Sequence, residues 1–510
     1  MSEKITRRRF IGRALASAAS TYTAPYIISG CRSRNQARLD YPNVIVLTCD
    51  SMRADHLHCY GYGRETSPQM DKLAKEGIQC LNHFAQGTRT SQSVPADFSG
   101  NYVPSCFPMV ERNGRRGEER RTTFHYVPFD MNSFVERFEE AGYYTLMCAH
   151  LPPVYQFSLD ADPKDFVNRR GFAEVIESDL RYPDLMLREA FDGLDGREEP
   201  FFAYLHITRP HIPYDPRIPF DLWSNPFYEG FWKQREAETG ADMATCAIDP
   251  AEVKTPEDLQ YLLAKYDGCI RDADDSVGLV REYAATRTRR DTILVVKADH
   301  GEMFQEHGDE PGQRGKQIQH LGGMGNELVK TPCLMQVPNV KARRIYAPTA
   351  NIDVGPTLLE LAGLDGEFGQ GTSLVRAMTG AYNLQDRRVF SSTPYEPKQG
   401  GTRIFTKLQP AHCVVGIVNG TLYKFIMSEN ADEELDGEER HELYDLVSDP
   451  TEMINLRDFE RGVAEMLRGE LATWFSRQKT IARGKLLTEV QQREIDPEVE
   501  QRLRALGYVR

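Results

Sequence analysis

Residues 43–50 read Asn43-Val44-Ile45-Val46-Leu47-Thr48-Cys49-Asp50, a short β-branched apolar run that ends on an acid. A continuous run of this length is the pattern of a strand buried on both faces, as in a parallel sheet covered by helices. Residues 292–302 repeat it, with Thr292-Ile293-Leu294-Val295-Val296-Lys297 running into Ala298-Asp299-His300-Gly301-Glu302. Similar runs lie at 143–148, 201–207 and 332–337. Helical patterns fall between them. One opens at Ser67-Pro68 and closes at Gly77, another spans 133–141 before Gly142, and a third spans 351–362 before Gly363; a cap with Pro at the first position and Gly beyond the end are helix punctuation. Buried strands alternating with helices predict an α/β fold with a mostly parallel, helix-covered sheet.

In such a sheet, ligands bind beyond the carboxyl ends of the strands. Two of the buried strands run straight into acids there. Asp50, Asp299 and His300 are therefore the candidate ligands of one hard divalent cation. Any one acid alone would as readily cap the following turn. Two after buried strands, one of them followed by His-Gly-Glu, favour a metal site.

After about residue 380 the pattern changes. Strand-like runs at 413–418 and 421–426 precede an acidic stretch at 429–438 and helical patterns at 462–478 and 497–506. This predicts a smaller C-terminal α+β subdomain at 381–510, after a catalytic domain at 41–380. The charged run at 113–121 (NGRRGEERR) reads as a solvated surface loop.

The chain has 510 residues, enough for more than one core, and its 40% hydrophobic and 27% charged content is that of a folded soluble protein. Sixty-two Lys and Arg against 75 Asp and Glu give a net charge of −13 with no basic stripe, which excludes nucleic acid as the main partner. No apolar run reaches the roughly 18 residues of a membrane-spanning helix. The 10 Cys include no Cys-x-x-Cys pair, so they specify neither a zinc knuckle nor a disulfide framework.

The first residues read as a targeting segment. Thr6-Arg7-Arg8-Arg9-Phe10-Ile11 precedes a weakly apolar Ala- and Ser-rich stretch ending Ile28-Ser29-Gly30-Cys31. The Arg7-Arg8 pair resembles a twin-arginine signal, which carries folded proteins. The 28–31 box looks like a bacterial lipobox, so Cys31 is the expected lipidation site. Residues 1–31 are thus expected to be an export signal, leaving a periplasmic or cell-surface lipoprotein held at the membrane by its lipid anchor.

Taken in order, several stretches resemble the sulfatase family of the alkaline phosphatase superfamily. PNVIVLTCDSMRADHLHCYGYGRETSPQMDKLAKEG is similar to that family's first strand, first metal Asp and following helix. ADHGEMFQEHG is similar to its second metal segment, NIDVGPTLLELAGL to the helix near the end of its catalytic domain, and ELYDLVSDPTEMINL and DPEVEQRLRALGYV to its C-terminal subdomain. The resemblance covers nearly the whole chain after the export signal, and it implies an alkaline-phosphatase-like fold. Asp50, Asp299 and His300 match metal positions, while Ser51 stands where many members have a second Asp. His211, in RPHIPYD, matches a residue that holds the substrate's oxyanion group, and His320 a position near the leaving oxygen.

The nucleophile departs from the family pattern. Formylglycine sulfatases carry Cys or Ser, then x-Pro-x-Arg, ten residues before a Gly. Counting back ten from Gly100 reaches Thr90, whereas a gapped register uses Ser93-Val94-Pro95 and puts Asp97 in the Arg position. Neither register keeps the Arg. The resemblance then implies an unmodified Thr90 as nucleophile, with Ser93 as the alternative.

The expected function is a metal-dependent hydrolase of sulfate esters acting outside the cytoplasm. Its expected substrate is an anionic ester, with a sulfated glycan as one class. Ca²⁺ is the first expectation for the cation, with Mg²⁺, Mn²⁺ and Zn²⁺ as alternatives. Two rival functions follow from the altered nucleophile. One is a phosphodiester or phosphonate-ester hydrolase, or a phosphoryl-group transferase, using Thr90. The other is a catalytically inactive glycan-binding pseudoenzyme.

Overall fold

The computed structural model describes residues 41–106, 131–150, 168–178, 182–239, 248, 250–307, 318–320, 323–393, 411–429 and 439–485. The expected twin-arginine pair, the Cys31 lipobox, the charged loop at 113–121 and the helical pattern at 497–506 lie outside them.

An eight-stranded sheet is built from β1 (Asn43–Cys49), β2 (Ile78–Phe84), β3 (Tyr144–Ala149), β4 (Glu174–Glu177), β5 (Phe201–Ile207), β6 (Thr292–Ala298), β7 (Cys333–Gln336) and β8 (Arg343–Ala350), in the order β8-β2-β7-β6-β1-β5-β3-β4. β1 runs parallel to both its neighbours, with Thr48 opposite Lys297 on β6 and opposite His206 on β5. β7 is the antiparallel strand, to β2 on one side and β6 on the other. The two faces of the sheet bury separate cores. Val44, Val46, Phe202, Tyr204, Ile293 and Val295 belong to one; Ile45, Leu47, Cys49, Ala203, Leu205, Leu294 and Val296 belong to the other. This alternation of a period-2 strand explains why all three central strands read as unbroken apolar runs.

Helices cover both faces. α1 (Pro68–Glu76) and the long α5 (Pro256–Thr286) pack on one side together with α4 (Pro183–Leu194). On the other lie α2 (Thr90–Ser99), α3 (Phe134–Glu140) and α6 (Val354–Leu361). α3 starts in a capping box, with Ser133 Oγ accepting from Val135 N and Glu136 reaching back to Ser133 N, worth about 1 kcal/mol. Asn351–Asp353 form a 3₁₀ turn that leads into α6 rather than its first helical turn.

A second, antiparallel sheet comprises β9 (Arg388–Thr393), β10 (Ala411–Val418), β11 (Thr421–Glu429) and β12 (Glu439–Asp445), covered by α7 (Arg461–Lys485). The protein is thus a large, mostly parallel, helix-covered sheet joined to a small C-terminal antiparallel sheet. Among the described residues no helix is long and apolar enough to cross a membrane.

Candidate active site at the carboxyl ends of the central strands

Three neighbouring strands change character along one face as they approach their carboxyl ends. On β1 the face reads Val44, Val46, Thr48 and then Asp50. On β6 and its continuation it reads Ile293, Val295, Lys297, Asp299, and on β5 Phe202, Tyr204, His206. The apolar lower half belongs to the core, and the polar upper half opens a buried pocket of donors. Asp50, His206, Asp299 and His300 are all fully buried.

The turn after β1 fixes the acids. Ser51 adopts φ 61°, a left-handed conformation unusual for a residue with a side chain. This bend aims Ser51 N at Asp299 Oδ1, 3.2 Å away, while Ser51 Oγ donates to Asp50 Oδ1 at 2.9 Å. The Tyr266 hydroxyl, from α5, donates to Ser51 O at 2.7 Å and holds the bend. His300 N also points to Asp299 Oδ1, at 2.9 Å. His300 Nδ1 lies 2.9 Å from the Gly301 carbonyl, so it carries the proton and leaves Nε2 facing the acids. Nε2 is 3.6 Å from Asp50 Oδ1 and 3.5 Å from Asp299 Oδ2.

Thr90, the first residue of α2, enters this cluster from above. Its hydroxyl lies 3.2 Å from Asp50 Oδ2 and 3.3 Å from His300 Nε2. The preceding turn must lie close to the helix. A Cβ on Gly87 would sit 2.6 Å from the Gln92 Cβ, which only Gly avoids. Ser93, in contrast, donates to the Gly87 carbonyl at 3.1 Å and closes that turn.

His211 N bonds to the Asp50 carbonyl at 3.1 Å, which sets the loop after β5 against the end of β1. Its Nδ1 lies 2.6 Å from Ile212 O. His320 follows a two-residue ribbon, Met303–Phe304 with Ile318–Gln319. The His320 ring is 5.1 Å from that of His211 and 4.6 Å from that of His300, and its Nδ1 is 3.0 Å from Glu302 Oε1. The expected site residues Asp50, Thr90, His211, Asp299, His300 and His320 therefore come together, and Ser93 stands aside.

Electrostatics separate their roles. Burial pushes the Asp50 carboxyl up, but the imidazoles of His211, His206 and His300 outweigh it and hold it below the usual carboxylate range. Burial raises Glu302 to about 7 against the pull of His211 and His300. His320 is lowered well below its ordinary value by burial, and the Arg89 guanidinium adds to the effect.

The donor chemistry fits a divalent cation. Asp299 Oδ2 is buried without a hydrogen-bond partner. Asp50, His206 and Asp299 each offer one ligand atom, all within 4.8 Å of one another. Two buried carboxylates sharing a site with imidazole nitrogens would otherwise repel. Sequence reasoning did not single out His206, and it noted Glu302 only as part of the run after His300. The missed signal for His206 is its period-2 alignment with Tyr204 on the face that carries Thr48 and Asp50.

This fold, with acids, imidazoles and a hydroxyl gathered at one end of the sheet, is that of an alkaline phosphatase superfamily hydrolase. Within it the chain belongs to the sulfatase family, whose profile matches residues 42–364 and so takes in every strand of the large sheet. A sulfatase of Formosa agariphila is 23% identical over 468 residues, covering 82% of this chain and 84% of that protein. A structure solved in complex with its substrate D-glucosamine-2-N,6-O-disulfate matches with a TM-score of 0.63 at 17% identity, over 89% of this chain and 100% of that one. The phosphonate monoester hydrolase of Agrobacterium radiobacter matches with a TM-score of 0.61 at 18% identity, over 87% and 96% of the two chains. At such identities the structural likeness establishes the fold alone.

Proposed function

We propose that the protein is a metal-dependent hydrolase of sulfate esters, with unmodified Thr90 as its nucleophile. One observation carries this reading: the Thr90 hydroxyl sits 3.2 Å from Asp50 Oδ2 and 3.3 Å from His300 Nε2 inside a fully buried donor cluster. Asp50, Asp299 and His300 would hold the cation, which, when bound, lowers the pKa of a hydroxyl and offsets the charge of an anionic ester. Thr90 gives up its proton to solvent and attacks the sulfur in line. The bond from sulfur to the alcohol oxygen breaks, His320 and His211 steady the charge on the departing oxygen, and that oxygen takes its proton from solvent. Water then attacks the sulfothreonine, releasing sulfate and restoring the hydroxyl.

A second reading, hydrolysis or transfer of phosphate or phosphonate esters, is favoured by the same hydroxyl. A formylglycine hydrate can expel sulfate from its own carbon. Threonine has one oxygen, so the intermediate clears only by a second attack on the heteroatom, a route phosphorus chemistry uses. The purified full chain should be assayed with aryl sulfate, phosphodiester and phosphonate esters across Ca²⁺, Mg²⁺, Mn²⁺ and Zn²⁺. Turnover of sulfate esters supports the first reading, and turnover of phosphorus esters alone the second. No turnover with retained binding of a sulfated glycan would leave the pseudoenzyme. Mass spectrometry of residues 88–100 should show unmodified Thr and Ser. Export, lipidation at Cys31 and a sulfated glycan as natural substrate belong to this proposal, supported by the signal-like residues 1–31 and the family membership.

A further inference from the structure

We propose that His206 is a further ligand of the cation, bound through Nε2, and that Tyr204 is its positioning residue; this rests on reading the cluster as a metal site. His206 projects from β5 on the face that β1 and β6 fill with Asp50 and Asp299. Its Nε2 is 3.4 Å from Asp50 Oδ2 and 3.9 Å from Asp299 Oδ2. The first is a hydrogen bond at its long limit, and the second is too long for one. A charge-assisted N–H···O contact settles at about 2.7–2.9 Å. The 3.4 Å spacing does suit two atoms arranged about a shared centre. Four ligands bonded at roughly 2.0–2.2 Å in a tetrahedron stand roughly 3.3–3.6 Å apart. The spacings of His300 Nε2 from Asp50 Oδ1 and Asp299 Oδ2, 3.6 and 3.5 Å, fall in the same range, with His300 facing the other oxygen of Asp50, while the 3.9 Å from His206 Nε2 to Asp299 Oδ2 exceeds it.

Ser51 strengthens the assignment. It stands where many family members place a second acid, yet its amide and hydroxyl are spent orienting Asp299 Oδ1 and Asp50 Oδ1. The donor lost at that position is replaced from the neighbouring strand. The other nitrogen of His206, Nδ1, lies 3.1 Å from the Tyr204 hydroxyl; in the tautomer this proposal requires, Nδ1–H donates to the phenol oxygen and Nε2 keeps its lone pair. An outer partner of this kind fixes the tautomer and orientation of a ligating imidazole. Two carboxylates with two imidazoles form a donor set that favours Zn²⁺ or a similar transition metal over Ca²⁺ and Mg²⁺, which prefer oxygen.

The test uses the full chain loaded with Zn²⁺. X-ray absorption should count two imidazole ligands; one would overturn the inference. His206→Gln should weaken Zn²⁺ binding by on the order of 100-fold and Tyr204→Phe by about 10-fold, measured by competition with a chromophoric chelator and with folding checked by circular dichroism. Unchanged affinity in a folded His206→Gln protein also overturns it, and if that variant does not fold, the absorption count on the unaltered chain decides. A chain that shows two imidazoles but hydrolyses no ester removes the proposed function and leaves this site standing. A hydrolase with one imidazole does the reverse.

Discussion

Lys297 on β6 and Asp97 on α2 form an ion pair buried between the central sheet and the helix that begins with Thr90. Lys297 lies two residues before Asp299 on the same face, and Asp97 lies two turns along the helix from Thr90. The pair thus ties the helix that carries the Thr90 hydroxyl to the strand that leads into Asp299. Burial raises Asp97 to about 6 even with Lys297 pulling it down. Lys297→Met should strand that carboxylate and cost about 3–5 kcal/mol, read from urea unfolding. The double variant Lys297→Met, Asp97→Leu should recover most of the loss. A single variant as stable as the parent would show that the pair does not hold the helix.

Thr90→Ala is expected to abolish turnover while the folded circular dichroism spectrum and melting temperature persist, and Thr90→Ser to keep measurable turnover. Ser93→Ala removes one hydrogen bond to Gly87 O, so its expected cost is about 1 kcal/mol of stability with activity largely kept. The opposite pattern, Ser93→Ala inactive and Thr90→Ala active, would move the nucleophile to Ser93.

Asp50→Asn combined with Asp299→Asn should leave a folded chain that retains no stoichiometric divalent metal. Elemental analysis after dialysis provides the measurement. Full occupancy in the double variant would exclude these acids as ligands.

His83 provides a pH signature that is separate from catalysis. It is fully buried on β2, with Nδ1 2.9 Å from Thr349 Oγ1 and Nε2 2.9 Å from Asn351 Oδ1. Burial lowers it from 6.5 to about 3. Because the unfolded chain takes up this proton first, the stabilisation is complete above about pH 6.5. It is lost as pH falls from there toward about 3, at up to roughly 1.4 kcal/mol per unit. Between pH 7 and 5, His83→Gln should flatten the fall in unfolding free energy by about one proton's worth. An unaltered slope would mean that His83 titrates normally in the folded chain.

Replacing Arg7 and Arg8 with Lys should leave unprocessed precursor inside the cell. Cys31→Ala should release the exported protein from the membrane fraction. Normal export of the Lys variant would dismiss the twin-arginine route. A membrane-bound Cys31→Ala product would dismiss the anchor.

How far the sequence could be read depended on where polar groups find partners. β1, β5 and β6 were legible because both faces are buried and their runs are apolar. β2 was not, since Gln79, Asn82 and His83 interrupt it. In the fold Gln79 donates to Cys59 O, Asn82 to Tyr346 O, and His83 bonds to Thr349 and Asn351. β8, with Arg343, Arg344 and Pro348, and the short β4 are edge strands, which lack a pattern visible without their neighbours. The antiparallel sense of β7 likewise depends on pairing rather than composition. At the site, residues at strand ends stood out, whereas His206 was absorbed into an apolar run.

The C-terminal sheet reaches the Thr90 end of the large sheet through its first strand. Ser392 N donates to Gln86 O at 2.9 Å, Ser391 Oγ donates to Ala85 O, and Gln92 Nε2 donates to Thr393 Oγ1 at 3.3 Å, so β9 braces both sides of the turn that delivers Thr90. Translation makes the acids of the large sheet well before this brace. A polypeptide released from the ribosome between residues 300 and 388 would carry Asp50, Thr90, Asp299 and His300 but lack the strand that braces the turn before Thr90. The placing of Thr90 beside Asp50 and His300 is thus completed by strands made after the large sheet, so the order of synthesis puts the support for that hydroxyl last.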